Sequence, residues 1–598
     1  MPNYKAPVED LGFVLSELID IEQIAGMPGY EDASADLIEA VLSAAGKFAS
    51  EVLAPLNRAG DQQAPVLSAG VVTTLEGWKD AYQQFTEAGW TSLIFDPAFG
   101  GQGLPRVVGG AVQEMWDASN MSFGLCPLLT QSASEAIWQC GSDEQKRVYL
   151  SKLVSGEWAG TMNLTEPQAG SDLSAVRTRA EPTAAGHYLI NGQKVFITYG
   201  EHDLTANIIH LVLARTPDAP AGVGGISLFL VPKFIPDEHG EPGERNDLCC
   251  VSLEHKLGIH GSPTAVMSYG DNGGATGYLV GEENRGLEYM FIMMNMARHA
   301  VGIEGYAIAE RAYQRALNYA RERTQGRAVG GTHGERVSII AHPDVARMLL
   351  DMKSRIEAMR AVSLYTAAAM DRSLRHPDEV ERARGKRSVD VLIPIVKGWS
   401  SEVGNWVTSC ALQVHGGMGF IEETGAAQHC RDARITTIYE GTTGIQAADL
   451  VGRKLVRDGG QMATELIEQM DTEIAQITEK FDDPVAQISA AASASLKLLS
   501  SATAWILESA GRDPRLPYAA SFQYLMLWGV VAGGWQMAKA AAAATACLEE
   551  GRGDSDFYRG KLLSCRHYAE HVLPEAEGYY RVVVSGSTAV LDAAAGAL

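Results

Sequence analysis

The hydrophobic period of this chain changes twice, and that limits the fold more than any single motif does. From Ser34 to about Ala159 apolar residues recur at three- and four-residue spacing, as in Leu37, Ala40, Val41, Ala44, Ala45, Phe48 and Val52. This predicts amphipathic helices with Ser34 as an N-cap, interrupted by the loop Phe99-Gly-Gly-Gln-Gly-Leu-Pro105. Alternation then takes over. His187 to Thr198, Ile208 to Ala214 and Gly225 to Val231 are short β-rich runs separated by Gly, Asn, Asp and Pro, with Tyr278 to Val280 as the last strand. Gly222-Val-Gly-Gly225 is read as a loop leading into a strand. From Gly286 to about Arg457 helical spacing returns, clearest over 301–322 and 343–372. A second helical block, 462–598, follows the break Asp458-Gly459-Gly460. Helices, strands and helices kept apart in this way predict separate layers or domains rather than βαβ winding.

At 598 residues the chain exceeds what one hydrophobic core organises. The expected fold class is mainly α with a central β-barrel or sandwich. A Pro/Gly-punctuated arm (1–35) precedes an N-terminal helical domain (36–160). The β domain (161–285), a helical bundle (286–460) and an additional C-terminal helical domain (461–598) follow.

The net charge of −24 argues against nucleic acid as a partner, because phosphate contacts need clustered Lys and Arg. The eight cysteines contain no Cys-x-x-Cys pair and no accompanying His cluster. Neither a metal site nor a disulfide framework is expected, and a reducing cytoplasm fits. The opening Met-Pro-Asn-Tyr-Lys-Ala-Pro has no apolar leader, so no signal segment is expected. The longest apolar run, Tyr524 to Trp535, is closed by Gln536 and Lys539. It is too short for a membrane span and predicts a buried helix. The alanines of 538–546 favour close helix packing, although helix propensity alone accounts for them more simply.

Against this frame, Arg434-Ile-Thr-Thr-Ile-Tyr-Glu440-Gly-Thr442-Thr-Gly444-Ile-Gln446 places one carboxylate in a Gly/Thr-rich break before a helical pattern. A base on a break can reach a substrate, whereas one on a helix face usually meets water. Asn163-Leu-Thr165-Glu-Pro-Gln-Ala-Gly170-Ser171-Asp172 is a polar turn able to aim N–H groups and hydroxyls at an acceptor-rich ligand. Thr198 ends a strand beside Phe196. Gln413-Val-His-Gly416-Gly417-Met-Gly-Phe420 is a Gly-rich turn after a helix, not a dinucleotide fingerprint, because no βαβ unit surrounds it.

In this order and spacing the motifs resemble the acyl-CoA dehydrogenase family of flavoproteins. The resemblance covers about residues 36–457. It also includes Lys256-Leu-Gly-Ile-His-Gly-Ser-Pro-Thr264, Gly281-Glu-Glu-Asn-Arg-Gly286 and Arg323-Thr-Gln325. The opening Tyr4-Lys-Ala-Pro-Val-Glu, Gly243-Glu-Arg-Asn246 and the extra C-terminal block resemble a long branch of about 600 residues.

The resemblance implies FAD-dependent α,β-dehydrogenation of an acyl-CoA thioester. Glu440 takes the α proton and the flavin takes the β hydrogen as hydride. It implies flavin contacts at Leu164, Thr165, Gly170, Ser171, Phe196, Ile197, Thr198 and Thr442. Arg323, Gln325, Gln413, Gly416 and Gly417 would grip FAD across a subunit boundary. Ser171, Asn295 and Arg298 are implied on the substrate side. Some members carry the base on a helix just before an Arg. The comparable position here is Ala297, which cannot accept a proton. The branch resemblance favours 3-methylmercaptopropionyl-CoA, with medium- or long-chain fatty acyl-CoA as the alternative. Electron-transfer flavoprotein is the implied acceptor and a homodimer the implied assembly. An oxygen-using oxidase and a catalytically silent helical interaction protein are the competing readings. Gly326, Gly444, His260, His415 and Gly452 depart from the common family pattern.

Overall fold

The computed structural model describes residues 4–330 and 336–593. Met1 to Asn3 of the opening stretch and residues 594–598 of the last helical block lie outside them. Contacts divide the chain into two compact units. One holds Met1–Gly46, Pro105–Ala118 and Val301–Leu598, the other Lys47–Leu104 and Ser119–Ala300.

The second unit carries the strands: β1 Val66–Ser68, β2 Val71–Thr73, β3 Trp158–Asn163, β4 Arg179–Pro182, β5 Tyr188–Thr198, β6 Asn207–Ala214, β7 Ser227–Pro232, β8 Phe234–Pro236, β9 Pro242–Arg245, β10 Leu248–Leu253, β11 Thr264–Tyr269 and β12 Ala275–Leu279. The main sheet runs β10-β11-β5-β12-β7-β6-β3, with β4 added on β5. All its pairs are antiparallel except β3 with β6. β6 and β7 are buried at every position, so their runs read as continuous apolar stretches. Ile190, Val212, Phe229 and Met267 share one core, while Leu211, Leu230, Met290 and Met293 share another. The β1–β2 hairpin was not expected within the helical 34–159 stretch. Its three-residue strands are too short to produce a readable period.

The first unit is built from long helices: Gly286–Glu322 (from Val301 onward), Pro343–Arg375, Glu379–His415, Gln461–Lys480, Val485–Arg512 and Arg515–Glu550. Ser34 caps Ala35–Phe48 as expected, its Oγ accepting from Leu37 N at 3.2 Å. The Pro/Gly-punctuated arm over 1–35 contains helices that its sequence did not announce. Val8–Phe13 and Ile21–Ala25 are α-helical with a π-helical turn between them, and Leu11, Phe13, Val14 and Ile24 are buried. Asp10 explains this, since it docks on Arg360, which also binds Glu114 and Glu310. Lys561 binds Asp10 and Glu357 in turn. Burial opposes the charge on Asp10, but Lys561 and Arg360 hold its carboxyl well below the usual range. Asp10, Arg360 and Lys561 each meet two or more opposite charges, which offsets their burial.

The 538–546 alanines are mostly buried, so close packing, not propensity alone, accounts for them. Tyr524 to Trp535 lies in a buried helix as expected. By length and composition, Val485–Arg512 is the one helix among the described residues apolar enough to cross a membrane. Its buried Val485, Ile488, Ala492, Leu496, Leu499, Thr503 and Ile506 keep helical spacing, the pattern of a core-facing stripe.

Candidate active site

In the first unit a 3-10 turn, Arg434–Thr437, leads to Tyr439, Glu440 and Gly441, and helix Thr443–Val451 follows. Glu440 has φ +55° and Gly441 φ +87°. For a residue with a Cβ, the left-handed region costs roughly 1–2 kcal/mol. The surroundings supply the restraint. Gln446 Nε2 donates to the carbonyls of Glu440 (3.0 Å) and Gly441 (3.3 Å), and Lys397 Nζ donates to that of Gly441 at 2.7 Å. Thr442 caps the following helix, accepting from Ile445 N at 3.2 Å. Thr443 Oγ1 donates to Glu402 at 2.6 Å. Gly441 at φ +87° favours glycine, and a Cβ there would stand 2.7 Å from Gln446 Nε2 and displace the amide that restrains the bend. The bend leaves Glu440 half-buried.

Two further carboxyl groups belong to this region, and sequence reading missed both. Glu304, fully buried on the Gly286–Glu322 helix, accepts from the Tyr439 hydroxyl. Burial first, then the charges of Asp117 and Glu440, push its acid well above the usual range. Asp117, 2 % exposed, is raised in the same direction by burial, although Gln113 donates to it at 2.8 Å. The available signal was an acidic residue inside the apolar run Val301-Gly-Ile-Glu304-Gly-Tyr-Ala307.

In the second unit the polar turn and the strand end lie together. Lys194 Nζ donates to the Leu164 carbonyl at 3.0 Å and to Glu166 at 2.8 Å, and Val195 N donates to Thr165 O at 2.9 Å. Glu166 also accepts from Thr178 Oγ1, Thr178 N and Arg177 N. Beyond Lys194 the β5–β11 register slips, and Phe196 takes φ +61° in the resulting bulge. Its ring is 63 % exposed while Ile197 beside it is buried. Thr198 closes the strand, its carbonyl accepting from Thr161 Oγ1 at 2.7 Å. Gly170 and Ser171 stand exposed on the turn, with open space around Gly170.

Asn295 is half-buried, and Arg298 is 3 % exposed with its guanidinium 5.6 Å over the Phe291 ring, so Arg298 is not a surface charge. Ala297 is fully buried in the core. Arg323, Gln325, Gln413, Gly416 and Gly417 are all exposed. Arg323 Nη2 reaches Gln325 Oε1 at 3.5 Å, and Phe420 next to the Gly turn is 90 % exposed. His415 is a packed residue, stacked on Tyr319 at 4.6 Å. His260 is engaged by the Asp61 and Lys256 carbonyls. Arg453, beside Gly452, pairs with Asp449 at 2.5 Å.

The chain matches "Acyl-CoA dehydrogenase, N-terminal domain" over residues 36–157, the "middle domain" over 161–271 and the "C-terminal domain" over 284–455. Residues 466–594 match "Acetyl-CoA dehydrogenase C-terminal like". It is 50 % identical over 596 residues to a 3-methylmercaptopropionyl-CoA dehydrogenase of Ruegeria pomeroyi, covering 99 % of each chain. It is 36 % identical over 604 residues to a butyryl-CoA dehydrogenase of Syntrophomonas wolfei, covering 99 % of this chain and 98 % of that one. Among solved structures, an acyl-CoA dehydrogenase from Bacillus anthracis complexed with FAD aligns with TM-score 0.74 at 21 % identity, covering 96 % of this chain and 92 % of that one.

Proposed function

Because this chain belongs to the acyl-CoA dehydrogenase family, we propose that it oxidises an acyl-CoA thioester to the trans-2-enoyl-CoA with FAD as cofactor and Glu440 as base. The observation that carries the reading is the Glu440 bend. A left-handed glutamate whose main chain is restrained by Gln446 and Lys397 is a residue held in one backbone conformation at a cost. Strain of that kind is retained where geometry serves chemistry.

The chain's own groups fit a flavin. Phe196 offers an exposed ring face, the Thr165 and Thr198 positions offer hydroxyls and amides, and Gly170, Gly416 and Gly417 leave open space where a side chain would intrude. Leu164, Thr165, Gly170, Ser171, Phe196, Ile197, Thr198 and Thr442 are the proposed cofactor contacts. Arg323, Gln325, Gln413, Gly416 and Gly417 serve the cofactor's charged and adenosine end. FAD, when bound, supplies the acceptor for the β hydrogen, which leaves with its electron pair. Glu440 takes the α proton onto its carboxylate, and the Cα–H electron pair becomes the new Cα=Cβ bond. An α C–H is weakly acidic, so a base kept in place and partly shielded from water lowers the barrier. Ser171, Asn295 and Arg298 are proposed for the substrate side.

For the substrate, identity of 50 % along the whole chain to a 3-methylmercaptopropionyl-CoA dehydrogenase supports that thioester, ahead of straight-chain fatty acyl-CoA. Exchange of S for CH2 changes binding by only about 1–3 kcal/mol in an apolar pocket, so selectivity is expected to be modest. A kcat/KM series over acyl-CoA chain lengths with the methylthio substrate tests this. A preference for a longer unbranched chain would overturn it, and peroxide formation without added acceptor would mark an oxidase. Electron-transfer flavoprotein as acceptor, a cytoplasmic location and a homodimer complete the proposal. The exposed Phe420, Met418 and Ile421 beside the Gly turn support self-association. A monomeric mass by light scattering would remove that part.

A further inference from the structure

Two carboxyl groups, those of Asp117 and Glu440, act on a third, the buried Glu304, in the first unit. The charged and titratable groups acting on Glu304 come from three directions. Helix Arg106–Cys140 brings Asp117, itself raised further by Glu114. The bend brings Tyr439 and Glu440, and helix Glu379–His415 brings Lys397. Acids outweigh the ammonium of Lys397 among the named groups acting on Glu304. Buried like charges cannot all ionise, and Glu304 is fully buried whereas Glu440 is only half-buried.

The hydrogen bonding points the same way. Glu304 Oε2 accepts from the Tyr439 hydroxyl, but Glu304 Oε1 and Asp117 Oδ1 are buried without a partner among the described residues. An ionised carboxylate has only acceptors to offer, and a buried lone pair left bare is costly. A proton on Glu304 removes a negative charge from a fully buried site that offers its second oxygen no donor. Tyr439 adjoins Glu440 in sequence, so whatever fixes the phenol fixes the entry to the bend. We propose that Glu304 is a proton-bearing positioning residue. It anchors the Tyr439 phenol, and so holds the Glu440 bend without adding a second negative charge beside the base. The proposal rests on Glu440 being the base.

The test uses the full-length, FAD-loaded enzyme with Glu304→Ala, Glu304→Gln and Tyr439→Phe, reading kcat and KM against pH. Glu304→Ala is expected to lower kcat by about tenfold or more with KM nearly unchanged, as misplacement of a reacting group does. Glu304→Gln, a neutral isostere able to accept from the phenol, restores most of that loss and leaves the acid limb of the kcat profile where it was. Tyr439→Phe, which keeps the packing, repeats the loss if Glu304→Ala does not fold. Infrared spectra of the wild-type protein at neutral pH are expected to show the carbonyl band of a neutral carboxylic acid, lost or displaced in Glu304→Gln. Absence of that band, an acid limb displaced by about a unit or more in Glu304→Gln, or wild-type turnover in both Glu304→Ala and Tyr439→Phe overturns the proposal. The infrared result does not depend on turnover. A wild-type enzyme that oxidises no acyl-CoA would sink the functional reading while the band still decides the protonation.

Discussion

The buried Lys397 ammonium donates to the carbonyl of Gly441 at 2.7 Å, one residue past the candidate base. A cation spent on a main-chain oxygen restrains backbone. Lys397→Met removes the donor and leaves Gln446 as the remaining contact to that carbonyl. The expected result is retained FAD and a kcat lower by about tenfold, from a bend that samples other conformations. Single-turnover flavin reduction measures it, and a rate equal to wild type would show that Lys397 does not hold the bend.

Glu440→Gln keeps the shape of the side chain and removes its basicity. Flavin reduction by an acyl-CoA is expected to slow by about 10²–10⁴-fold, while FAD content and CoA-ester binding persist. Near-normal reduction in a stopped-flow experiment would place the base elsewhere.

The Lys194–Glu166 pair ties the polar turn to β5. Burial resists the charge of both groups. Lys194 is lowered to about 8 by that burial, while against it Lys194 and the Thr178 and Arg177 donors hold Glu166 at about 2. Breaking one side is therefore expected to cost about 3–5 kcal/mol, whereas replacing both by apolar residues costs far less. Thermal melts of Lys194→Met, Glu166→Leu and the double variant check this, and an additive double variant would refute it. The pH dependence has a definite sign. The folded Glu166 pKa lies below the ordinary 4.5, so its contribution is complete above 4.5 and is lost as pH falls toward 2. The double variant should lose stability less steeply across that window.

Phe196 separates function from stability. A ring 63 % exposed contributes little to the fold, so Phe196→Ala is expected to shift the Tm of the flavin-free protein hardly at all. Bound FAD should fall several-fold, read from the ratio of flavin to protein absorbance after purification. Full flavin occupancy would exclude Phe196 as a cofactor contact.

Glu440 and the turn around Thr165 are legible in the sequence because both sit on breaks, where Gly, Thr and Pro interrupt a period and leave a local mark. The β-rich runs and the long helices are legible for the same reason, through period. Glu304, Asp117, Lys397 and Lys194 are not. Each lies within a regular element, and its meaning depends on which distant residue faces it: Tyr439 is 135 residues from Glu304, and Glu166 is 28 from Lys194. The buried opening helix was missed for a related reason. Its partner Arg360 is 350 residues away, so nothing local distinguishes Asp10 from a surface acid.

Asp10 and Lys561 are joined across 551 residues of chain. During synthesis Asp10 can meet Arg360 only after 350 further residues and Lys561 only after 551, so the charges around the opening helix are completed in two widely separated steps. Emergence of Lys561, rather than of the first domain, then becomes the moment at which this unit can close. A nascent chain arrested short of residue 561 should remain open to protease at its very beginning.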